Sequence, residues 1–261
     1  MEALHLSVPT SWSELSQEQL RFLLRTIVAV NRANTGRSFD SRDDFAAQTA
    51  AQVAVYCLFR WNGLSVITPY ADAWLVAHND REFVISAGDV AAATSFLDWT
   101  NEIPATPVRL DRIDSADAVE ASLGDDFSFD DWLSCETLWQ SYQATQNPEH
   151  LRLMAEILYR KPGIALEEYE HLSIFYWWAG LKSECSGLYR HFFQPSPSDS
   201  PAANITPDLL RRNMDAQIRA LTKGDITKES LILSMPAHRA LTELDALARE
   251  YDELNRKYPS H

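Results

Sequence analysis

The stretch IFYWWAGLKSECSGLYRHFF, residues 174–193, decides the fold class. Seven of its twenty residues are aromatic: Phe175, Tyr176, Trp177, Trp178, Tyr189, Phe192 and Phe193. Its apolar run, residues 174–181, ends after eight positions at Lys182. A bilayer-spanning helix needs about 20 apolar residues, so the stretch is no membrane span. A helix that is apolar nearly all round is covered on most of its faces. The stretch is therefore expected at the centre of a helical core, with residues 166–180 and 181–193 as consecutive helices.

Working outward, residues 129–145 and 148–159 also read as helices, the second with Pro148 at a first-turn position. Residues 111–126 are small and acidic and are expected as an exposed loop; residues 105–110 are expected to be extended between Pro104 and the loop. Further toward the N-terminus, Ser86 or Asp89 caps a helix over 86–99. Three short stretches of strand character, 64–67, 73–77 and 82–85, precede it, with Asn79-Asp80 as a hairpin turn. Helices over 41–61 and from a Ser16/Gln19 capping box to Asn34 come before those. Phe45, Thr49, Gln52 and Tyr56 fall on one side of the first of these, and Val53, Cys57 and Trp61 on the adjoining side. Leu4, Leu6 and Val8 alternate with polar residues and suggest a short strand. The expected class is mainly α: a helical bundle with a small β-hairpin or sheet element near 64–86, followed by a helical C-terminal tail.

Charge divides the chain. The 261 residues carry 37 Asp and Glu against 23 Lys and Arg, a formal net charge of −14. The segment PSPSDSPAA (195–203) has three Pro, three Ser and no large apolar residue, and reads as a linker. Beyond it, residues 204–261 hold nine acidic and nine basic residues, so the whole of the −14 lies on residues 1–203. The sequence thus suggests an acidic body over 1–194 and a charge-balanced helical segment over 204–261. A surface this acidic disfavours nucleic acid as a partner. In the tail, Leu244, Leu247, Tyr251, Leu254 and Tyr258 repeat at coiled-coil spacing over barely two heptads, too short for a free coiled coil. That face, with Asp215, Arg219 and Leu221 on the preceding helix, is the expected protein-contact surface.

Catalytic signatures are absent from the sequence. Seven His are scattered at 5, 78, 150, 171, 191, 238 and 261, with no HxxxH, HExxH or CxxC spacing, so no metal site is expected. There is no GxSxG, P-loop or Gly-rich phosphate cradle, and no cofactor is expected. Asp125, Asp126, Asp130 and Asp131 read as an acidic helix start capped by Ser128 or Asp130 rather than as a cation loop. Glu136, Glu170 and His171 are the residues that an unfamiliar enzymatic site in the aromatic middle third would use. Trp61, Trp99, Trp132, Trp139, Trp177 and Trp178 could form a ligand platform, but rings of this size more commonly fill a core. Cys57, Cys135 and Cys185 lie in apolar helical contexts, as reduced, buried thiols of a cytoplasmic protein do. The N-terminus MEALHLSVPTSW has neither a basic nor a long apolar region, so no secretory signal is expected there.

Five segments carry a resemblance: LDWTNEIPATPVRL (97–110), LWQSYQATQNPEHLRLMAEILYR (138–160), IFYWWAGLKSECSGLYRHFFQP (174–195), MDAQIRALTKGDITKE (214–229) and RALTELDALAREYDELNRKY (239–258). They resemble an uncharacterised protein family of Bacteroidetes phage and prophage gene clusters. The resemblance covers most of the chain beyond residue 50 and is weakest in the N-terminal helices. It implies a virion-assembly or accessory role, and the tail is similar in style to phage tail assembly chaperones. Such proteins are acidic and helical, and coat the tape measure protein before the tail tube forms. The function so implied is a cytoplasmic, non-enzymatic factor with a protein client, neither membrane-bound nor nucleic-acid-binding. A structural tail component and an enzyme with an unrecognised site are the rival expectations.

Overall fold

A computed structural model describes residues 4–194 and 206–258. The described residues form nine α-helices, one three-stranded antiparallel sheet and one two-stranded ribbon, and the fold is mainly α. The chain divides into two compact units: unit 1 is Met1–Pro104 with Glu168–Ser173, and unit 2 is Ala105–Glu167 with Ile174–His261. The division falls inside the stretch expected as a single acidic body. Its physical basis is two separate sets of buried side chains. The Pro/Ser segment lies outside the described residues.

Unit 1 is built on an antiparallel helix pair and a small sheet. Helix α1 (Gln17–Asn34) starts with the expected capping box: Gln19 N–H donates to Ser16 Oγ, and Ser16 N–H to Gln19 Oε1. Helix α2 (Arg42–Trp61) is capped by Ser41, whose hydroxyl accepts from Asp44 N–H. Buried Asn34 pins the end of α1 to α2 by donating to Thr49 Oγ1 at 3.0 Å and Gln52 Oε1 at 3.4 Å. Strands β1 (Ser65–Pro69), β2 (Ala73–His78) and β3 (Arg81–Ser86) follow in spatial order β1-β2-β3. Asn79 and Asp80 both have positive φ, 48° and 60°, which matches a two-residue primed turn between twisted strands. The β1 register slips between Val66 and Thr68, leaving Ile67 as an extra residue in an edge strand. Helix α3 (Ala87–Thr94) has a Ser86/Asp89 capping box and tightens into 3₁₀ turns over Ser95–Asn101. Leu23, Val53, Cys57, Leu58, Val76, Ile85, Val90 and Leu97 form the centre of this unit.

The expected strand at Leu4–Val8 does not form. Its side chains pack on the unit 1 core, but its backbone is held by one side chain. Ser7 N–H donates to Asn62 Oδ1 at 2.7 Å and Asn62 Nδ2 donates back to Ser7 O at 3.0 Å. The amide of Asn62 takes the place of a neighbouring strand.

Unit 2 is helical and aromatic. Helix α4 (Phe129–Thr145) packs against α5 (Pro148–Leu158) and against the C-terminal helices. The region 111–126 is not a plain exposed loop. It holds the ribbon β4 (Arg112–Ile113) and β5 (Ala116–Asp117), and Ile113, Val119 and Ala121 are buried. Three of its apolar residues go to the core, while Leu123 stays exposed, a division that composition alone does not reveal. Helix α6 (Glu168–Leu188) runs through Gly180 instead of breaking there. A methyl at Gly180 would lie 2.2 Å from the Thr106 carbonyl oxygen, so this glycine is a close-approach site within the helix.

The C-terminal helices α7 (Pro207–Thr222), α8 (Glu229–Leu233) and α9 (Ala237–Lys257) belong to unit 2. Within it, Ala237, Ala240, Leu241 and Leu244 bury the first half of α9. Two backbone bonds fasten its start: Phe129 N–H donates to Met235 O and Ala237 N–H to Phe127 O, each at 2.8 Å.

Candidate functional site

The strongest candidate is an open apolar cleft in unit 1 of about 590 Å³. One wall is the outer face of α2: Ala51, Gln52, Val55, Tyr56, Phe59 and Arg60. Phe22 of α1, Leu64, Val66 of β1 and Trp74 of β2 complete it. At 100° per residue the α2 positions split into two arcs. Val53, Ala54, Cys57 and Leu58 face the core and are buried, Phe59 is buried at the foot of the cleft, and Ala51 and Val55 continue apolar character onto the cleft side. The helix is thus apolar well beyond the stripe that a single packing face requires.

Phe59 holds Trp74 edge-on at 6.0 Å, which fixes the cleft floor. The Arg60 guanidinium lies 5.8 Å from the Phe22 ring centroid and 3.8 Å from Glu18. It supplies the single cation among the lining residues. Tyr56, 58% exposed, and Val66 form the rim. Rings and methyls converge here with one guanidinium, one amide and one phenol. That arrangement suits the burial of an apolar face.

The expected contact residues of the C-terminal segment fall into two groups. On α9, Leu244 is buried within unit 2, Leu247 is half-buried, and Tyr251, Leu254 and Tyr258 are exposed. The helix is docked through its polar edge: Asp245 accepts from the N–H groups of His191 at 2.7 Å and Phe192 at 3.1 Å. On α7, Asp215 and Arg219 are exposed and Leu221 is half-buried. The face read from sequence as one surface is therefore internal at one end and open at the other.

The centre of the aromatic middle third is enclosed, and Phe175, Tyr176, Phe192 and Phe193 around it are half-buried. Trp132, Trp177 and Trp178 are fully buried. Trp178 packs on Trp132 at 5.1 Å and on Phe127 at 6.4 Å, and Trp177 on Tyr159 at 5.6 Å. These three tryptophan rings have no face open to a ligand. Glu136, in unit 2, accepts from Lys182 Nζ at 2.6 Å and Gln140 Nε2 at 2.7 Å. Glu170, in unit 1, accepts from the Tyr169 hydroxyl at 2.9 Å and faces Arg21 at 3.7 Å. His171 is half-buried on the first turn of α6. Both carboxylates are held by partners that position helices.

The acidic helix start resolves as a cap. Ser128 and Asp131 form a capping box, and Arg160 bonds both Asp131 oxygens at 2.8 and 2.7 Å. Burial raises the Asp131 carboxyl, but bonds from Arg160 and Ser128 outweigh it and hold the group below the ordinary Asp range. The thiols are the opposite case. Burial pushes Cys57 and Cys185 up to about 12, and Cys135 well above its ordinary value, so none is a thiolate nucleophile. Among the described residues, no three His, Cys, Asp or Glu gather where a metal ion could be held. None of the described helices is long and apolar enough to cross a membrane.

Gln52 and Tyr56 fall together on one side of α2 by sequence spacing, but the cleft itself is not visible there. The available signal was the extra apolar arc at Ala51, Val55 and Phe59. No family model, curated protein or solved structure matches the chain.

Proposed function

We propose that this protein is a non-enzymatic protein-binding factor that receives an apolar helical segment of a client in the unit 1 cleft. The observation that carries the reading is the open wall of Phe22, Val55, Tyr56, Phe59 and Trp74, with exposed apolar rim residues and one cation. An amphipathic helix lays its apolar face into such a groove, anchored at i, i+3 or i+4 positions. The net charge of −14 suits the task, since like charge keeps a complex with an apolar client dispersed.

The client we assign, on the segment resemblance, is a phage tape measure protein, which makes the chain a tail assembly chaperone. Co-expression with the tape measure protein of the same gene cluster tests this. The expected result is a client that stays in the supernatant and co-elutes with the chain. A client equally dispersed alone, with no co-elution, refutes it. Co-elution only with assembled tail tubes favours a structural tail component instead.

A further inference from the structure

The outer half of α9 carries an apolar seam that the described residues of its own unit leave uncovered. Leu244 is buried and Leu247 half-buried, but Tyr251 is 66% exposed, Leu254 56% and Tyr258 75%. These five positions hold the 3-4 spacing of a two-helix contact, so an interface that begins inside the unit continues onto open surface.

Its flanks are unequal. Glu250 and Lys257 each precede a seam tyrosine, seven residues apart, and therefore lie on the same flank. Both are exposed, and neither makes an ion pair among the described residues. The other flank, Ala248 and Asn255, is uncharged.

We infer that this seam pairs with the same seam of a second copy, antiparallel about a two-fold axis between residues 252 and 253. The exposed pattern is self-complementary in that arrangement. Leu247 faces Tyr258 of the second copy, and Tyr251 faces its Leu254. The two-fold repeats both layers, so each of the four layers joins one tyrosine to one leucine. The same register sets Glu250 opposite the second copy's Lys257, twice by symmetry. A parallel pairing stacks tyrosine on tyrosine and brings Glu250 beside Asn255, with no ion pair. An isologous contact of this kind closes at two copies.

Charge distribution permits the contact. The −14 lies on residues 1–203, and residues 204–261 are neutral. Repulsion between the acidic portions is screened beyond about 8 Å at physiological ionic strength. Four layers bury less than the ~1,200 Å² of a standard stable interface, so the dimer is weak and concentration-dependent.

Sedimentation of the full chain from micromolar to near-millimolar concentration tests this. The average mass is expected to climb from 29.6 kDa toward twice that value. Glu250→Lys or Lys257→Glu alone should weaken the dimer about tenfold, and the double swap should restore it. These are exposed helix positions, so circular dichroism should not change. A mixture of Tyr251→Cys and Leu254→Cys chains should form an intermolecular disulfide, over a low background because the three native thiols are buried. A chain that stays monomeric throughout, or a dimer indifferent to both single reversals, overturns the proposal. So does a disulfide from Leu254→Cys alone without one from the mixture, which marks a parallel pairing.

Discussion

Unit 2 packs its aromatic rings against one another, whereas unit 1 lines an open cleft with them. Trp132, Trp177, Trp178, Tyr159, Phe127 and Phe129 are all fully buried in unit 2. In unit 1, Phe22, Tyr56 and Trp74 border about 590 Å³ of open space beside buried Phe59. The residue class is the same and the consequence differs. A ring enclosed on all sides stabilises the fold through burial and dispersion. A ring with one open face retains apolar surface that a partner can still remove from water.

That contrast can be broken by substitution. Trp178→Ala should destabilise unit 2 by about 3–5 kcal/mol, read as a shifted urea midpoint. A smaller loss would mean that the aromatic core is loosely packed. Gly180→Ala should follow at about 1–3 kcal/mol, because its methyl meets the Thr106 carbonyl at 2.2 Å and backbone must move.

The pH dependence comes next. Asp131 is held below its ordinary value of 3.8, so it stabilises the fold fully above that value and loses the contribution as pH falls through its lower folded value. Stability measured from about pH 5 to pH 2 should fall more steeply for the native chain than for Asp131→Asn. Parallel acid limbs would mean that the Arg160 contact contributes nothing. The smallest expected effect is on the other side of the comparison. Tyr56→Ala should change stability by no more than about 0.5 kcal/mol, since a rim residue supports little packing. A large loss would make Tyr56 part of the core and close the argument for an open wall.

The helices were legible in sequence because caps and periodicity agree locally. Ser16/Gln19, Ser86 with Asp89, and Ser128 each sit where the structure places a cap. The Asn79-Asp80 turn was legible because few residue pairs accept positive φ twice. Gly180 misled because glycine signals a helix end by backbone freedom, while here it serves a neighbour distant in sequence. Residues 111–126 misled because buried Ile113, Val119 and Ala121 are isolated among acids. The division of the chain was not legible from charge, since units are set by which side chains share a core. Of the site, the exposed end of the α9 seam was legible from spacing. The cleft required β1 and β2 to be placed beside α2, which periodicity along one helix cannot supply.

The most direct test of the central claim is co-elution of the proposed client, a co-expressed tape measure protein, with the native chain and with Tyr56→Glu, both checked for unchanged thermal unfolding. A carboxylate on the cleft rim should abolish the complex while leaving the fold intact. Undiminished co-elution of the client with Tyr56→Glu would contradict the assignment of the unit 1 cleft as the client-binding surface.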